Sequence, residues 1–261
     1  MLDQITPLIL TYDEAPNIRR TLAKLTWARR IVVLDSGSTD GTREIAQSFP
    51  QVQLYERPFD DFASQCNFGL TRIATPWVLS LDADYELSDI LIDELTGLQP
   101  EPDICGYRAR FIYRIGGASL RGSLYPSRTV LYLRDRARYR REGHGHRVEI
   151  DGRVAALGGH IYHDDRKPLS RWLASQRAYA RDEAEHLSRM PRSELGRADR
   201  IRVMAWPAPI AVFLYVLLVK RCVFDGWAGW YYALQRMLAE MLLALELIDR
   251  RLRDRAGPAA P

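Results

Sequence analysis

Two aspartates, Asp82 and Asp84, close the apolar run WVLSLDAD at residues 77–84. With only Ala83 between them, both can turn to one side of a strand end and offer the hard oxygen ligands that Mg²⁺ or Mn²⁺ prefers. Mg²⁺ is usually held by one or two carboxylates together with substrate phosphates. The pair therefore suggests nucleotide-dependent group transfer. The same residues could instead serve a turn or cap a helix over 86–98, so what lies beside them must decide.

The elements that would position them read as an alternation. Apolar runs at 5–11, 31–34, 52–56 and 77–81 have strand character, and helical patterns follow each at 16–25, 42–48, 61–73 and 87–98. This βαβαβαβα order predicts an α/β fold with a mostly parallel sheet flanked by helices. In such sheets ligands gather beyond the carboxyl ends of the strands. The loops holding Thr11, Tyr12 and Glu14, then Asp35, then Asp82 and Asp84, all follow strands, so they are expected to converge on one cleft.

Composition narrows the class. The chain has 261 residues, 47% of them hydrophobic, enough for a well-buried core. A net charge of +4 is modest, but Arg134, Arg136, Arg138, Arg140, Arg141 and Arg147 crowd one segment, which predicts a local basic surface suited to phosphate-bearing substrates or anionic headgroups. No helix-turn-helix, zinc or RNA-binding signature argues for nucleic acid. Cys66, Cys105 and Cys222 are odd in number and widely spaced, as expected of thiols in a reducing compartment. Asp3 stands where a signal peptide needs basic residues, so the catalytic body is expected to be cytoplasmic.

LILTYDEAPNIRRTL, IVVLDSGSTDGTREIA, QCNFGL and WVLSLDAD, in that order, resemble the nucleotide-sugar-binding half of the family 2 glycosyltransferases. GYRARFIYRIGGASLRGSLYP, RVEIDG, HIYHDDRKPLSRWL and FDGWAGW further resemble the bacterial branch that includes lipopolysaccharide-core glucosyltransferases. The resemblance implies a GT-A fold, a sugar-nucleotide donor, a divalent cation (Mg²⁺ or Mn²⁺) and inversion at the anomeric carbon. It assigns Thr11, Tyr12, Glu14, Asp35, Gln65, Asn67 and Asp82 to the nucleotide sugar, with Tyr12 stacking near the base, Glu14 on ribose and Asp35 on the pyrimidine imide. The alternative role of Asp35 is to cap the turn that follows it. Metal ligation falls to Asp84, with Asp82 and His163 beside it.

An acceptor hydroxyl must lose its proton as it attacks, and here the chain departs from the pattern. Ser127 stands where the branch carries an aspartate, and the resemblance, through a His-Glu-like pair in relatives, points instead to Glu142, His144 and His146 as candidate bases. Cys66 replaces a basic residue that many relatives have before Asn67, and Arg128 or a later arginine is a candidate substitute. Asp164 and Asp165 are expected to cap the helix over 169–187, with Arg166 and Lys167 in reach of phosphate.

Residues 205–219 carry no charge but include Pro207 and Pro209, and fall short of the roughly 20 apolar residues a spanning helix needs. Trp206, Trp227, Trp230, Tyr231 and Tyr232 suit a membrane interface, and Lys220 with Arg221 suits anionic lipid. Leu234, Leu238, Met241, Leu245, Ile248 and Leu252 make one amphipathic face. That face fits a membrane, the catalytic domain or a homodimer.

Three stretches are thus expected: a nucleotide-sugar-binding half at 1–100, an acceptor-side half at 101–190 and a membrane-associating helical extension at 191–261. The resulting expectation is hexose transfer from a UDP-sugar to a glycolipid or lipid-linked saccharide, by a protein peripheral on the inner face of the plasma membrane. Two rivals are a non-catalytic membrane-associated scaffold and a nucleotidyltransferase, although TYDEAPN lacks the glycine- and lysine-rich phosphate loop usual in the latter.

Overall fold

The computed structural model describes residues 1–142 and 145–256; the side chains at 141, 142, 145, 146 and 256 lie outside the description. The chain forms two compact units, one made of 1–117 with 125–167 and the other of 118–124 with the chain from 168 onward.

The first unit begins β1 (Ile5–Thr11), α1 (Ile18–Ala23), β2 (Ile31–Asp35), α2 (Thr42–Gln47), β3 (Val52–Glu56), α3 (Phe62–Leu70) and β4 (Trp77–Asp82). All five residues of β2 are buried, and six of seven in β1, as expected of central strands covered on both faces. Asp61 caps α3 by accepting from the Ser64 amide at 2.9 Å. After β4 come β5 (Tyr85–Leu87), α4 (Asp89–Gly97) and β6 (Ile104–Ile115). The short β7 (Ala118–Ser119) belongs to the second unit, and β8 (Arg128–Leu133), β9 (Ala137–Glu142), β10 (Gly145–Ile150) and β11 (Arg153–His163) complete the first.

The main sheet runs β3-β2-β1-β4-β8-β6-β11-β5. Its first four strands are parallel, as the alternation predicts; β8 then pairs antiparallel with both β4 and β6. Strands β9 and β10 form a separate antiparallel hairpin. The sequence reading missed β5: Tyr85, Glu86 and Leu87 pair with His163, Tyr162 and Ile161 of β11, a partner some 75 residues away that local periodicity cannot reveal. Ser88 caps α4 instead, its hydroxyl accepting from Leu91 at 3.2 Å.

Strand β11 carries a bulge between Ala156 and His160, which face Arg108 and Arg110 of β6. The two extra residues keep the alternation of side chains in phase. The amides of Gly158 and Gly159 point to the Glu94 carboxylate of α4, at 2.9 and 2.8 Å. Past the bulge, His163 comes into register between Tyr85 and Tyr113.

The second unit holds α5 (Leu169–Arg189), α6 (Arg197–Val203), α7 (Pro207–Leu214) continued by a π turn over Tyr215–Val219, and α8 (Gly226–Ala256). Ala180, Ala184, Leu187, Leu195, Leu243 and Leu247 form its core. Arg202 makes a forked ion pair with Glu240, its closest contact 2.7 Å. Among the described residues no single helix is long and apolar enough to cross a membrane; 207–219 and 222–255 meet at a 73° bend. Helix α8 has two apolar faces. Tyr232, Ala233, Leu243, Ala244 and Leu247 are buried, whereas Leu234, Met241, Leu245, Ile248 and Leu252 of the predicted amphipathic stripe are exposed.

Candidate functional site

Strand register brings the three predicted loops together. Thr11 at the end of β1 faces Asp35 at the end of β2, and on its other side β1 sets Leu10 opposite Asp82 of β4. Sequence positions 11, 35 and 82 thus lie on three adjacent strands at one sheet edge.

Asp35 is fully buried, and its carboxylate is spent within the loop. Oδ2 accepts from the amides of Gly37 (3.0 Å) and Ser38 (2.8 Å), while Oδ1 accepts from the hydroxyls of Ser38 and Thr11 (3.0 Å). The turn-capping role open to Asp35 is the one this geometry fills. Tyr12, the residue after β1, exposes 55% of its surface. Glu14 is tucked in: Lys167 Nζ lies 2.6 Å from one carboxylate oxygen, and Asn17 Nδ2 donates to the other at 2.9 Å. Burial, eased by Lys167 and reinforced by Asp84, pushes the Glu14 carboxyl up to about 7.

Gln65 and Asn67 do structural work here. The Gln65 amide donates to the carbonyls of Arg57 (3.0 Å) and Pro58 (3.2 Å) and receives Arg57 Nη1 at 2.9 Å, which ties down the turn before α3. Asn67 makes a reciprocal pair with Tyr139, its Nδ2 donating to the carbonyl at 2.9 Å and its Oδ1 accepting the amide at 3.0 Å. That pair fastens the β9–β10 hairpin to α3.

The DAD turn is pinned at both ends. The Thr21 hydroxyl donates to the Ala83 carbonyl at 2.6 Å, and the Asp164 amide donates to the Asp84 carbonyl at 3.2 Å. Asp82 is half-exposed, with Arg128 4.0 Å away. Asp84 is buried, and its Oδ2 lies 3.1 Å from Nε2 of His163. Burial works against charge on Asp84, but His163 overcomes it and holds the carboxyl below its usual value. Burial likewise disfavours the imidazolium, and Asp84 reverses this to raise His163. The rings of Tyr85, Tyr113 and Tyr125 surround His163, with centroids at 5.3, 4.6 and 4.6 Å.

The donor set suits a divalent cation. Two ligands, each about 2.1 Å from an octahedral ion and at right angles, stand about 3.0 Å apart, and Asp84 Oδ2 and His163 Nε2 are at that separation. Among the described residues the buried Nδ1 of His163 has no hydrogen-bond partner. Among the described residues no cluster of three or more His, Cys, Asp or Glu converges on one point, so substrate or water would have to complete such a shell.

Asp164 and Asp165 do not cap α5, whose N-cap is Pro168 with no side-chain bond. Because β11 delivers them beside α1, Asp164 is buried under Arg20 and Arg166, and Asp165 accepts from Asn17 and the Lys167 amide. Of the candidate bases, His144 lies outside the described residues, and Glu142 and His146 stand in β9 and β10 with side chains outside the description. Sequence reasoning missed the tyrosines around His163, although Tyr85 directly follows the aspartate motif, and it missed Arg108. That arginine lines a cavity of about 820 Å³ together with Asp82, Ser127, Arg128 and Arg147. All three cysteines are buried and free.

Comparison with known proteins places this geometry. The chain is 34% identical over 119 residues to the lipopolysaccharide core biosynthesis glycosyltransferase LpsC of Rhizobium meliloti, a match covering 43% of the chain and 44% of that protein. An uncharacterised glycosyltransferase of Rickettsia bellii is 36% identical over 35% of the chain and 31% of its own length. The chain therefore matches less than half the length of these two relatives. At 22% identity, an uncharacterised glycosyltransferase of Rickettsia prowazekii aligns over 97% of the chain and 89% of its own length. Among solved structures, the Pyrobaculum calidifontis mannosyltransferase PcManGT, determined with GDP-Man and Mn²⁺, superimposes with a TM-score of 0.56 at 16% identity, covering 95% of this chain and 88% of its own. S. aureus TarS 1-349 with UDP-GlcNAc gives 0.50 at 12%, covering 95% and 91%. These two likenesses establish the mixed α/β GT-A fold. The family described as glycosyl transferase family 2 matches residues 8–153, more than half of the sequence, and the chain belongs to that family.

Proposed function

We propose that the chain transfers a sugar, a hexose, from a UDP-sugar to a glycolipid or lipid-linked saccharide with inversion, as a step in lipopolysaccharide or other cell-surface glycan synthesis. The observation that carries this reading is the Asp84–His163 pair at ligand spacing, one turn from a half-exposed Asp82 and beside the β1 and β2 loops. Asp84 and His163 would hold Mg²⁺ or Mn²⁺, which when bound supplies charge neutralisation for a leaving diphosphate. Tyr12 stacks on the base, and Asp35 with Thr11 keeps the loop beneath it rigid. Glu14, oriented by Lys167 and Asn17, faces the ribose. Arg128 supplies positive charge where Cys66 has replaced a basic residue. Glu142, His144 and His146 remain the bases we propose for the acceptor hydroxyl.

The acceptor reading draws on the relationship to LpsC and on the second unit. Trp206, Ile210, Leu218, Val219, Phe224 and Trp227 each expose half or more of their surface, and Lys220 and Arg221 interrupt the run. An apolar, tryptophan-rich face with basic residues suits the headgroup level of an anionic bilayer. We place the protein there, peripheral on the cytoplasmic face. The α8 stripe repeats apolar residues at alternating steps of four and three from Leu234 to Leu252, the spacing of a coiled-coil seam, so a second copy is the partner it fits.

The deciding experiment is release of nucleotide from UDP-, GDP- and dTDP-sugars with a membrane-lipid extract, with and without Mn²⁺ or Mg²⁺. Metal-dependent release from a UDP-sugar supports the proposal. Release from GDP-sugars alone overturns the donor, and binding without turnover on any donor favours a non-catalytic scaffold.

A further inference from the structure

The geometry points to an anion-binding acceptor subsite: the cavity beside Asp82 takes a saccharide that carries a phosphate or carboxylate, its charge held by Arg108 and Arg147. This rests on the donor reading above and adds the chemical class of the acceptor.

The position of the cavity separates it from the donor. Thr11 and Asp35 end β1 and β2, on one side of β4 in the sheet, and Tyr12 directly follows β1. The cavity lies on the other side of Asp82, its walls built by β8, by Arg108 of β6, by Val154 of β11 and by Arg147 to Ile150 of β10. Asp82 stands at the junction, where a sugar carried in from one side would meet a hydroxyl offered from the other.

The charge of the walls sets the ligand class. Three guanidinium groups line the cavity, against two carboxylates, Asp82 and Glu149. Glu149 is engaged by Arg140 at 2.7 Å, and Asp82 faces Arg128 at 4.0 Å. Arg108 makes no ion pair among the described residues. A guanidinium offers a planar fork of donors that matches phosphate and carboxylate oxygens two at a time. Ser80, Ser127 and Thr129 add hydroxyls suited to a sugar. An acidic saccharide would supply the carboxylate or phosphate that Arg108 lacks among the described residues.

The test is calorimetric titration of the full chain with mannose 6-phosphate, with glucuronate and with neutral mannose, each with and without saturating UDP and Mn²⁺. The expected result is binding of at least one acidic sugar and not of mannose, preserved when UDP is bound; the two acidic arms tell phosphate from carboxylate. R108Q and R147Q should each weaken that binding about tenfold, the worth of one charge-assisted contact. R136Q, whose arginine pairs with Asp151 at 2.8 Å outside the cavity, should leave it unchanged. Equal binding of mannose, absence of binding by both acidic sugars, displacement by UDP, or insensitivity to both substitutions would each overturn the inference. UDP is titrated alone in the same series. If UDP fails to bind while the arginine-dependent sugar binding persists, the donor reading falls and the anion subsite stands.

Discussion

Nε2 of His163 lies 3.1 Å from Oδ2 of Asp84, across 79 residues of sequence. Neither partner holds this arrangement alone: the β11 bulge sets the register of the histidine, and Thr21 and Asp164 hold the backbone of the aspartate.

Asp84→Asn should cost at least about a hundredfold in metal-supported turnover, because an amide is a poor ligand and removes the charge that opposes the imidazolium. His163→Gln should instead shift the Mn²⁺ titration to higher concentration with a smaller loss at saturation. Nucleotide release measured against Mn²⁺ separates the two. An unchanged metal requirement in both variants would remove Asp84 and His163 from the metal site.

The Glu14 carboxyl, raised from 4.5 to about 7, gives stability a pH dependence of known sign. Between those values the folded chain holds a proton that the unfolded chain has released, so this stabilisation is full below about 4.5 and fades as pH rises through 7. Glu14→Gln should flatten the melting temperature between pH 5 and 7.5 relative to the parent chain. Parallel curves for the two proteins would contradict the assignment.

Asn67→Ala removes two hydrogen bonds to Tyr139 and should cost about 1–3 kcal/mol. The discriminating readout is hydrogen exchange: the Tyr139 amide should exchange faster while the amides of β1 and β2 do not. Uniform acceleration would mean that Asn67 supports the whole unit rather than the hairpin.

Gly159→Ala should destabilise by about 1–3 kcal/mol, since a Cβ there would come 2.6 Å from the Leu91 backbone of α4, which cannot yield as a side-chain tip can. Urea denaturation measures it. A neutral result would show that α4 can shift away from the bulge.

Trp206→Gln with Trp227→Gln should reduce co-sedimentation with vesicles containing anionic lipid severalfold, without lowering the melting temperature, because both side chains are exposed. Unchanged sedimentation would leave the apolar face to a protein partner.

The first four strands and the aspartate motif were legible because each is written in a short stretch: apolar runs, then polar loops, in an order that only a parallel sheet satisfies. Asp35 was legible as a candidate, but its sequence could not say that Thr11, Gly37 and Ser38 would use all of its oxygens. What sequence could not carry were the long-range pairings. Glu86 and Leu87 read as the start of a helix until β11 claims them, Asp164 read as a cap until Arg20 reaches it, and nothing local to Arg108 signals that β8 and β10 stand beside it. The α8 stripe was correctly seen as apolar, but periodicity says only that a face exists; the helix buries a different one.

The backbone passes between the two compact units three times, after residues 117, 124 and 167. Residues 118–124 are moored in the helical unit by Arg121 to Asp225, by the Gly122 carbonyl to Cys222 and by the Leu124 amide to the Tyr232 hydroxyl. A chain ended at Lys167 would therefore deprive this segment of Asp225, Cys222 and Tyr232, immediately before Tyr125. The helices are contiguous in sequence, yet exchanging them would also replace the partners of 118–124, so that segment and the helices have to change together.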